Sequence, residues 1–321
     1  MSNAETGMES ILINGPLLPD WVSFLAKAGY ETIVVPEDDP AGSRRAAPHI
    51  VGMVANAVFP IDETFFASAP RLRVVGRLGV GCDNVDIDAA TKHGVRVVNT
   101  PLPVIEPVAE HAFGLLLALT RAVVSGDRSV RAGTFRKGAL LPSFELAGKT
   151  LGVVGLGNTG RRVAEIGKHG FRMKIVYTDP IARPDAEHEL SARRVALEEL
   201  LATSDVVSLH VALGPSTRGL IDAERLALMK RGAILLNLAR GPVVDEDALV
   251  HALRSGRLAG AGLDVFIEEP PPADHPLFEL PNVVLTPHRG GYSSESIVGI
   301  SRVAEDVLRV LRGEEPEFPV N

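Results

Sequence analysis

The sequence predicts an α/β protein built from two doubly wound parallel-sheet domains, and three observations carry that reading. Short β-rich apolar runs alternate with helical patterns almost from end to end, which implies parallel strands covered by helices on both faces. The alternation falls into two series, separated by a long helical pattern at 106–124 and a polar loop before Lys149. With 321 residues, the chain is also long enough for two domains that each bury a core.

In the first series, strands are expected at 11–13, 32–35, 50–54, 73–75 and 95–98, with helices at 20–28, 62–68 and 86–93. The second series reads as strands at 150–154, 174–177, 206–209, 233–238, 260–265 and 283–286. A last helix at 293–312 follows and is expected to return to the first domain, the helix at 106–124 being the other crossing point. The domain limits expected from this are 1–103 with 290–321, and 104–289.

Composition narrows the function. Hydrophobic residues make up 45% and charged residues 23%, ordinary values for a soluble protein. A net charge of -7, without long blocks of one sign, argues against nucleic acid or an anionic membrane as partner. The longest apolar run, 112–119, is far short of the roughly 20 residues that span a bilayer. The start, 1–10, is polar and lacks the apolar stretch of a secretory signal, so a cytoplasmic protein is expected. Cys82 is the only cysteine, which forbids an intrachain disulfide, and the nine histidines show no metal-binding spacing. No metal is expected.

The strongest motif is LGVVGLGNTG at 151–160, a strand running into GxGxxG and then a helix. Alone the pattern is weak among 31 glycines, but here a strand precedes it, a helix follows, and the next strand ends at Asp179. Gly155 allows the tight turn, Gly157 lets the backbone approach a pyrophosphate, and Gly160 lets helix and strand pack closely. Asn158 and Thr159 complete the loop at the helix N-terminus, whose N–H groups and dipole favour phosphate. Asp179 is placed to accept the adenosine ribose hydroxyls and to repel a 2′-phosphate, favouring NAD over NADP, although Arg183 close behind softens that preference. The second domain therefore reads as a Rossmann unit.

In open α/β sheets, ligands lie beyond the carboxyl ends of the strands. There the second series carries Arg240 after 233–238, Asp264, Glu268 and Glu269 at the end of 260–265, and His288 after 283–286. Hydride transfer at a hydroxy acid needs such a set. A guanidinium binds carboxylate and oxygen bidentately, an imidazole takes the hydroxyl proton, and a carboxylate beside that imidazole favours its protonated form and fixes its tautomer. The competing readings are a surface ion pair for Arg240, a solvated acidic turn for Glu268 and Glu269, and a strand-end histidine bonded to backbone for His288.

From about 50 to 312 the chain resembles the D-isomer-specific 2-hydroxyacid dehydrogenase family, which contains D-3-phosphoglycerate dehydrogenase, glyoxylate/hydroxypyruvate reductase and D-lactate dehydrogenase. The resemblance is carried by GRLGVGCDNVD at 76–86, VNTP at 98–101, VAEH at 108–111, the glycine loop, LARG at 238–241, LDVFIEEP at 263–270 and TPH at 286–288. It implies a Rossmann NAD-binding domain inserted in a flavodoxin-like substrate domain. It further implies that Arg240 binds and polarises a 2-oxo or 2-hydroxy acid, that His288 is the acid/base, and that Glu269 orients it. Backbone amides at Val80 and Gly81 would hold the substrate carboxylate, Asp264 would contact the nicotinamide amide, and His210 and Thr217 would line the adenosine side. Relatives are mostly dimers, so a homodimer is expected. Glutamate at 269 argues against the formate-oxidising branch.

Val104 departs from a frequent asparagine and Ala212 from a common proline, and residues 54–58 lack the basic residue of phosphoglycerate enzymes, although Arg77 is present. No regulatory domain is expected after Asn321, and an unphosphorylated substrate is expected. His93, His111, His251 and His275 are read as solvated or structural, and Cys82 as a small apolar filler. The rival to an enzyme is an NAD-sensing scaffold like the corepressor branch of the family, which would carry long disordered flanks.

Overall fold

The computed structural model describes residues 8–135 and 143–321; the polar start and part of the loop before Lys149 lie largely outside this description. The chain divides into two compact units, one from Met1–Val104 with Tyr292–Asn321, the other Ile105–Gly291.

The first unit contains strands β1 (Ser10–Ile13), β2 (Glu31–Val34), β3 (Ile50–Ala55), β4 (Val74–Arg77) and β5 (Arg96–Val98). They form a parallel sheet in the order β2-β1-β3-β4-β5, the flavodoxin-like arrangement. Because side chains alternate between faces of a strand, a sheet covered on both sides splits its apolar residues by parity. Leu12, Met53, Ala55, Val75 and Val97 enter one core, and Ile11, Ile13, Val54, Val74 and Val98 the other. The second core is closed by the helix Val303–Leu311, through Val303, Ala304, Val307, Leu308 and Leu311.

The second unit holds β6 (Thr150–Val154), β7 (Lys174–Thr178), β8 (Arg193–Arg194), β9 (Val206–Leu209), β10 (Ile234–Asn237), β11 (Gly260–Leu263) and β12 (Val283–Leu285). Their order is β12-β11-β10-β9-β6-β7-β8, all parallel. The direction of winding reverses at β6, where the crevice for a ligand opens in a Rossmann sheet. The same parity holds here, with Leu151, Val153, Ile234 and Leu236 on one face and Val154, Val207, Leu209, Leu235 and Leu263 on the other.

Three elements differ from expectation. β8 is an edge strand of two exposed arginines and carries no apolar signal for periodicity to detect. The helix expected at 106–124 breaks into Ile105–Thr120 and Val123–Arg131, bent by 60°, with Ala122 left-handed at the break (φ 53°). The helix expected at 293–312 divides at Arg302 into Ser294–Ser301 and Val303–Leu311. Among the described residues, no single helix is long and apolar enough to cross a membrane.

Gly76 on β4 lies against the helix Val303–Leu311, and a Cβ there would come 2.6 Å from Val307 Cγ2 and 2.9 Å from Val303 Cγ2. Gly76→Val is therefore expected to destabilise the first unit by about 1–3 kcal/mol through overpacking, read as a lower urea midpoint with an unchanged slope.

Candidate active site

The glycine loop follows β6. Gly155 is left-handed (φ 88°), and a Cβ on it would lie 2.7 Å from the carbonyl oxygen of His210, at the end of neighbouring β9. A Cβ on Gly160 would strike the carbonyl of Gly155, so the helix Asn158–Glu165 sits directly against the turn. Gly157 instead faces open space, and no side chain caps the helix it begins. These are the features a pyrophosphate requires: close approach of backbone, room, and helix N–H groups without a side-chain acceptor. The residues present fit a dinucleotide.

Asp179 follows β7 and is nearly buried. Its Oδ2 accepts the Leu156 N–H at 2.8 Å and its Oδ1 the Ile181 N–H at 2.8 Å, so it ties the glycine loop to the following turn. Arg183 Nη2 stands 3.9 Å from Oδ1. His210 follows β9 and shares a 2.7 Å hydrogen bond between Nε2 and Ser208 Oγ. Burial pushes its pKa down to about 4, which keeps the ring neutral beside the glycine loop. Thr217 accepts the Gly214 N–H at 2.8 Å and donates to Ala212 O at 2.6 Å, closing the turn after β9.

On the other side of β9, the ends of β10, β11 and β12 bring three groups together. After β10, Asn237 Oδ1 accepts the Ala239 N–H at 3.1 Å and its Nδ2 donates to Arg240 O at 3.0 Å, a brace that turns the chain at Arg240. Gly241 then presses on the main chain at Phe266 and Ile267, where any Cβ would collide. That contact sets the Arg240 turn against the loop carrying Glu269. Glu269 Oε1 accepts the Phe266 N–H at 3.0 Å, and its Oε2 accepts from His288 Nδ1 at 2.6 Å. Burial raises the Glu269 pKa, but the His288 hydrogen bond, the Phe266 amide and the charges of His288 and Arg240 prevail and hold it below the usual carboxylate range. An ionised Glu269 can only accept, so His288 carries its proton on Nδ1 and leaves Nε2 to exchange one.

His288 is left-handed (φ 51°), and its N–H donates to Asp264 O at 2.8 Å. Asp264 itself is only 2% exposed. Its Oδ1 accepts from Thr286 Oγ1 (2.6 Å) and Arg289 N (2.8 Å), and its Oδ2 from Gly290 N (2.7 Å). Burial acts to raise its pKa, but hydrogen bonds from His111, Thr286, Arg289 and Gly290 outweigh it and the net shift is downward. Asp264 thus anchors the loop that presents His288. Sequence reasoning singled out neither the Asn237 brace nor the approach of His111 to this carboxylate. The VAEH stretch was the one available signal for His111. Glu268 remains an exposed turn residue.

Val80 and Gly81 lie in the first unit, in the loop after β4, where Val80 O accepts from Asn99 Nδ2 at 2.8 Å. Among the described residues, no group of three or more histidine, cysteine, aspartate or glutamate side chains is arranged to hold a metal.

The family described as D-isomer specific 2-hydroxyacid dehydrogenase, NAD binding domain, matches residues 113–290 of this chain. The chain belongs to that family. A glyoxylate reductase of Korarchaeum cryptofilum is 47% identical over 266 residues, 82% of this chain and 80% of that protein. The structure of the TT0316 protein of Thermus thermophilus has a TM-score of 0.89 at 40% identity, covering 97% of this chain and all of that one. D-lactate dehydrogenase from Aquifex aeolicus, complexed with NAD and lactic acid, has a TM-score of 0.85 at 30% identity, covering 95% and 96%. This family member is an NAD-dependent oxidoreductase that interconverts 2-hydroxy and 2-oxo acids.

His210 supplies a pH prediction. Its folded pKa, about 4 against an ordinary 6.5, means the unfolded chain binds the proton more readily. Stability from this group is present above pH 6.5 and lost as pH falls towards about 4. His210→Gln is expected to flatten the decline in urea midpoint across that window; an equally steep decline in the variant would count against the assignment.

Proposed function

We propose that this enzyme uses NADH to reduce small, unphosphorylated 2-oxo acids, glyoxylate among them, and that Arg240, Glu269 and His288 carry the reaction. The observation that carries the reading is the 2.6 Å contact between His288 Nδ1 and an ionised Glu269, with the charge of Arg240 acting on the same carboxylate. When bound, the nicotinamide supplies or accepts the hydride at C2 of the substrate. In reduction, protonated His288 gives the proton on Nε2 to the developing C2 oxygen; in oxidation, neutral His288 takes the hydroxyl proton. Glu269 holds the Nδ1 proton in both directions. Arg240 binds the substrate carboxylate and C2 oxygen and stabilises charge on that oxygen.

The first unit is the proposed substrate-binding domain, where the amides of Val80 and Gly81 hold the carboxylate. The second is the proposed NAD-binding domain. Gly155, Gly157, Asn158, Thr159 and Gly160 cradle the pyrophosphate, Asp179 takes the ribose hydroxyls and favours NAD, and His210 and Thr217 flank the adenosine. Asp264 contacts the nicotinamide carboxamide in this reading.

The preference for an unphosphorylated substrate follows from Arg77. This side chain is 7% exposed, and its guanidinium donates to Asn84 Oδ1 and Leu78 O, bracing the loop after β4. Residues 54–58 supply no cation to replace it, and the side chains exposed past β3, β4 and β5 include Val58, Val80, Asp83 and Leu102, none of them a cation.

A homodimer is supported by the helix Val123–Arg131, which buries none of its residues and exposes Val123 and Val130, with Phe135 beyond it 76% exposed. A second copy would cover these side chains. The single cysteine, which forms no internal disulfide, agrees with a cytoplasmic enzyme.

The direct test follows NADH absorbance with a panel of 2-oxo acids. Glyoxylate and pyruvate are expected to turn over and a phosphorylated 2-oxo acid to be poor; the reverse ranking would defeat the substrate assignment. His288→Asn is expected to lower kcat by about 10²–10⁴ with NADH still bound, as judged by its fluorescence. Glu269→Gln is expected to lower kcat by about tenfold or more with NADH still bound, because the ionised acceptor that fixes the Nδ1 proton of His288 is gone.

A further inference from the structure

His111 has no part in the proposed reaction, yet it stands behind the group that moves the proton. It projects from the helix Ile105–Thr120, with Nε2 2.9 Å from Thr286 Oγ1 and 3.4 Å from Asp264 Oδ1. Proton inventory fixes the direction of each bond. Asp264 is ionised and accepts; Thr286 has one proton and donates it to Asp264 at 2.6 Å. Thr286 Oγ1 therefore accepts from His111, whose Nε2 bears a proton whether the ring is neutral or charged.

Thr286 is two residues before His288, and the His288 N–H is shared between Asp264 O at 2.8 Å and Thr286 O at 3.1 Å. A left-handed conformation at a non-glycine residue persists only where its surroundings over-determine it. Here the surroundings are the Thr286–Asp264 contact and the amides of Arg289 and Gly290, which pin the residues on both sides of His288 to one carboxylate. The His111 N–H closes this arrangement from the helix side. An apolar residue at 111 would fill the same space, but it would leave the Thr286 oxygen without its donor.

We infer that His111 is a positioning residue for the reaction: its Nε2–H locks Thr286 onto Asp264 and so holds His288 in the backbone turn that aims Nδ1 at Glu269. The inference rests on His288 being the acid/base. The other charged groups near His288 are Glu269, Arg240 through its action on Glu269, and Arg289, and none of them touches the His111–Thr286 contact in the bonds described.

The test compares His111→Leu, which removes the donor, with His111→Gln, whose amide N–H reaches the same acceptor. His111→Leu is expected to lose kcat about tenfold or more, while NADH affinity stays within about twofold, and His111→Gln is expected to recover most of the loss. A second readout needs no turnover. In the free protein, the His288 Nδ1 proton bonded to Glu269 gives a downfield imidazole N–H resonance, identified by its disappearance in His288→Asn. That resonance is expected to broaden away in His111→Leu and to persist in His111→Gln. If His111→Leu does not fold, Thr286→Val against Thr286→Ser makes the same comparison, since only serine keeps the hydroxyl. Unchanged kcat and an intact resonance in His111→Leu, or in Thr286→Val, overturn the inference. Full turnover in His288→Asn overturns instead the acid/base assignment beneath it, so the two failures are told apart.

Discussion

A carboxylate that stays ionised while half withdrawn from water is the constraint on which the site rests. Glu269 in its charged form is a pure acceptor, and that alone decides which ring nitrogen of His288 holds a fixed proton and which exchanges one. Keeping it charged takes several donors and cations at once: the Phe266 amide, the His288 ring and the field of Arg240. Each comes from a different strand end, so the arrangement depends on β10, β11 and β12 lying side by side in parallel register. Even Gly241 belongs to this chain of requirements, because a side chain there would push the Arg240 turn away from the Phe266 loop.

Two acidic residues five positions apart serve opposite purposes. Asp264 is sealed in, and its oxygens are spent on the hydroxyl of Thr286 and two loop amides. Sealing a carboxylate costs several kcal/mol unless donors replace its water, and here they are supplied by the loop whose shape it sets. Glu269 keeps partial exposure and a strong charge-assisted bond to the His288 ring. One is a rigid anchor, the other an adjustable electrostatic partner.

Much of this was legible in the sequence because it is encoded locally or by register. The glycine loop announces itself by spacing, and both sheets by alternating apolar runs whose parity later sorts into two cores per sheet. The residues at strand ends could be collected on one edge, since parallel strands share a direction. Side-chain detail was less accessible. His111 reaches Asp264 across 153 positions of sequence, and no periodicity records such a contact. Asn237 works as a brace through two backbone bonds, a role that its place at a strand end does not announce. The breaks at Ala122 and Arg302 interrupt helices whose residues show no glycine or proline at those points, so composition continues smoothly where geometry does not. β8 was invisible because two arginines at a sheet edge look like loop.

The first unit is assembled from both ends of the polypeptide, with the helix Val303–Leu311 completing a core begun by β1. During synthesis the ribosome therefore releases Ile105–Gly291 as a contiguous, foldable stretch while the earlier sheet still lacks its cover. Apolar side chains such as Ile11, Val54 and Val74 would wait, incompletely covered on one face, until Tyr292–Asn321 emerges. The usual vectorial order, in which the amino-terminal part matures first, is inverted, and that interval is when the nascent chain is most open to chaperone binding and to aggregation.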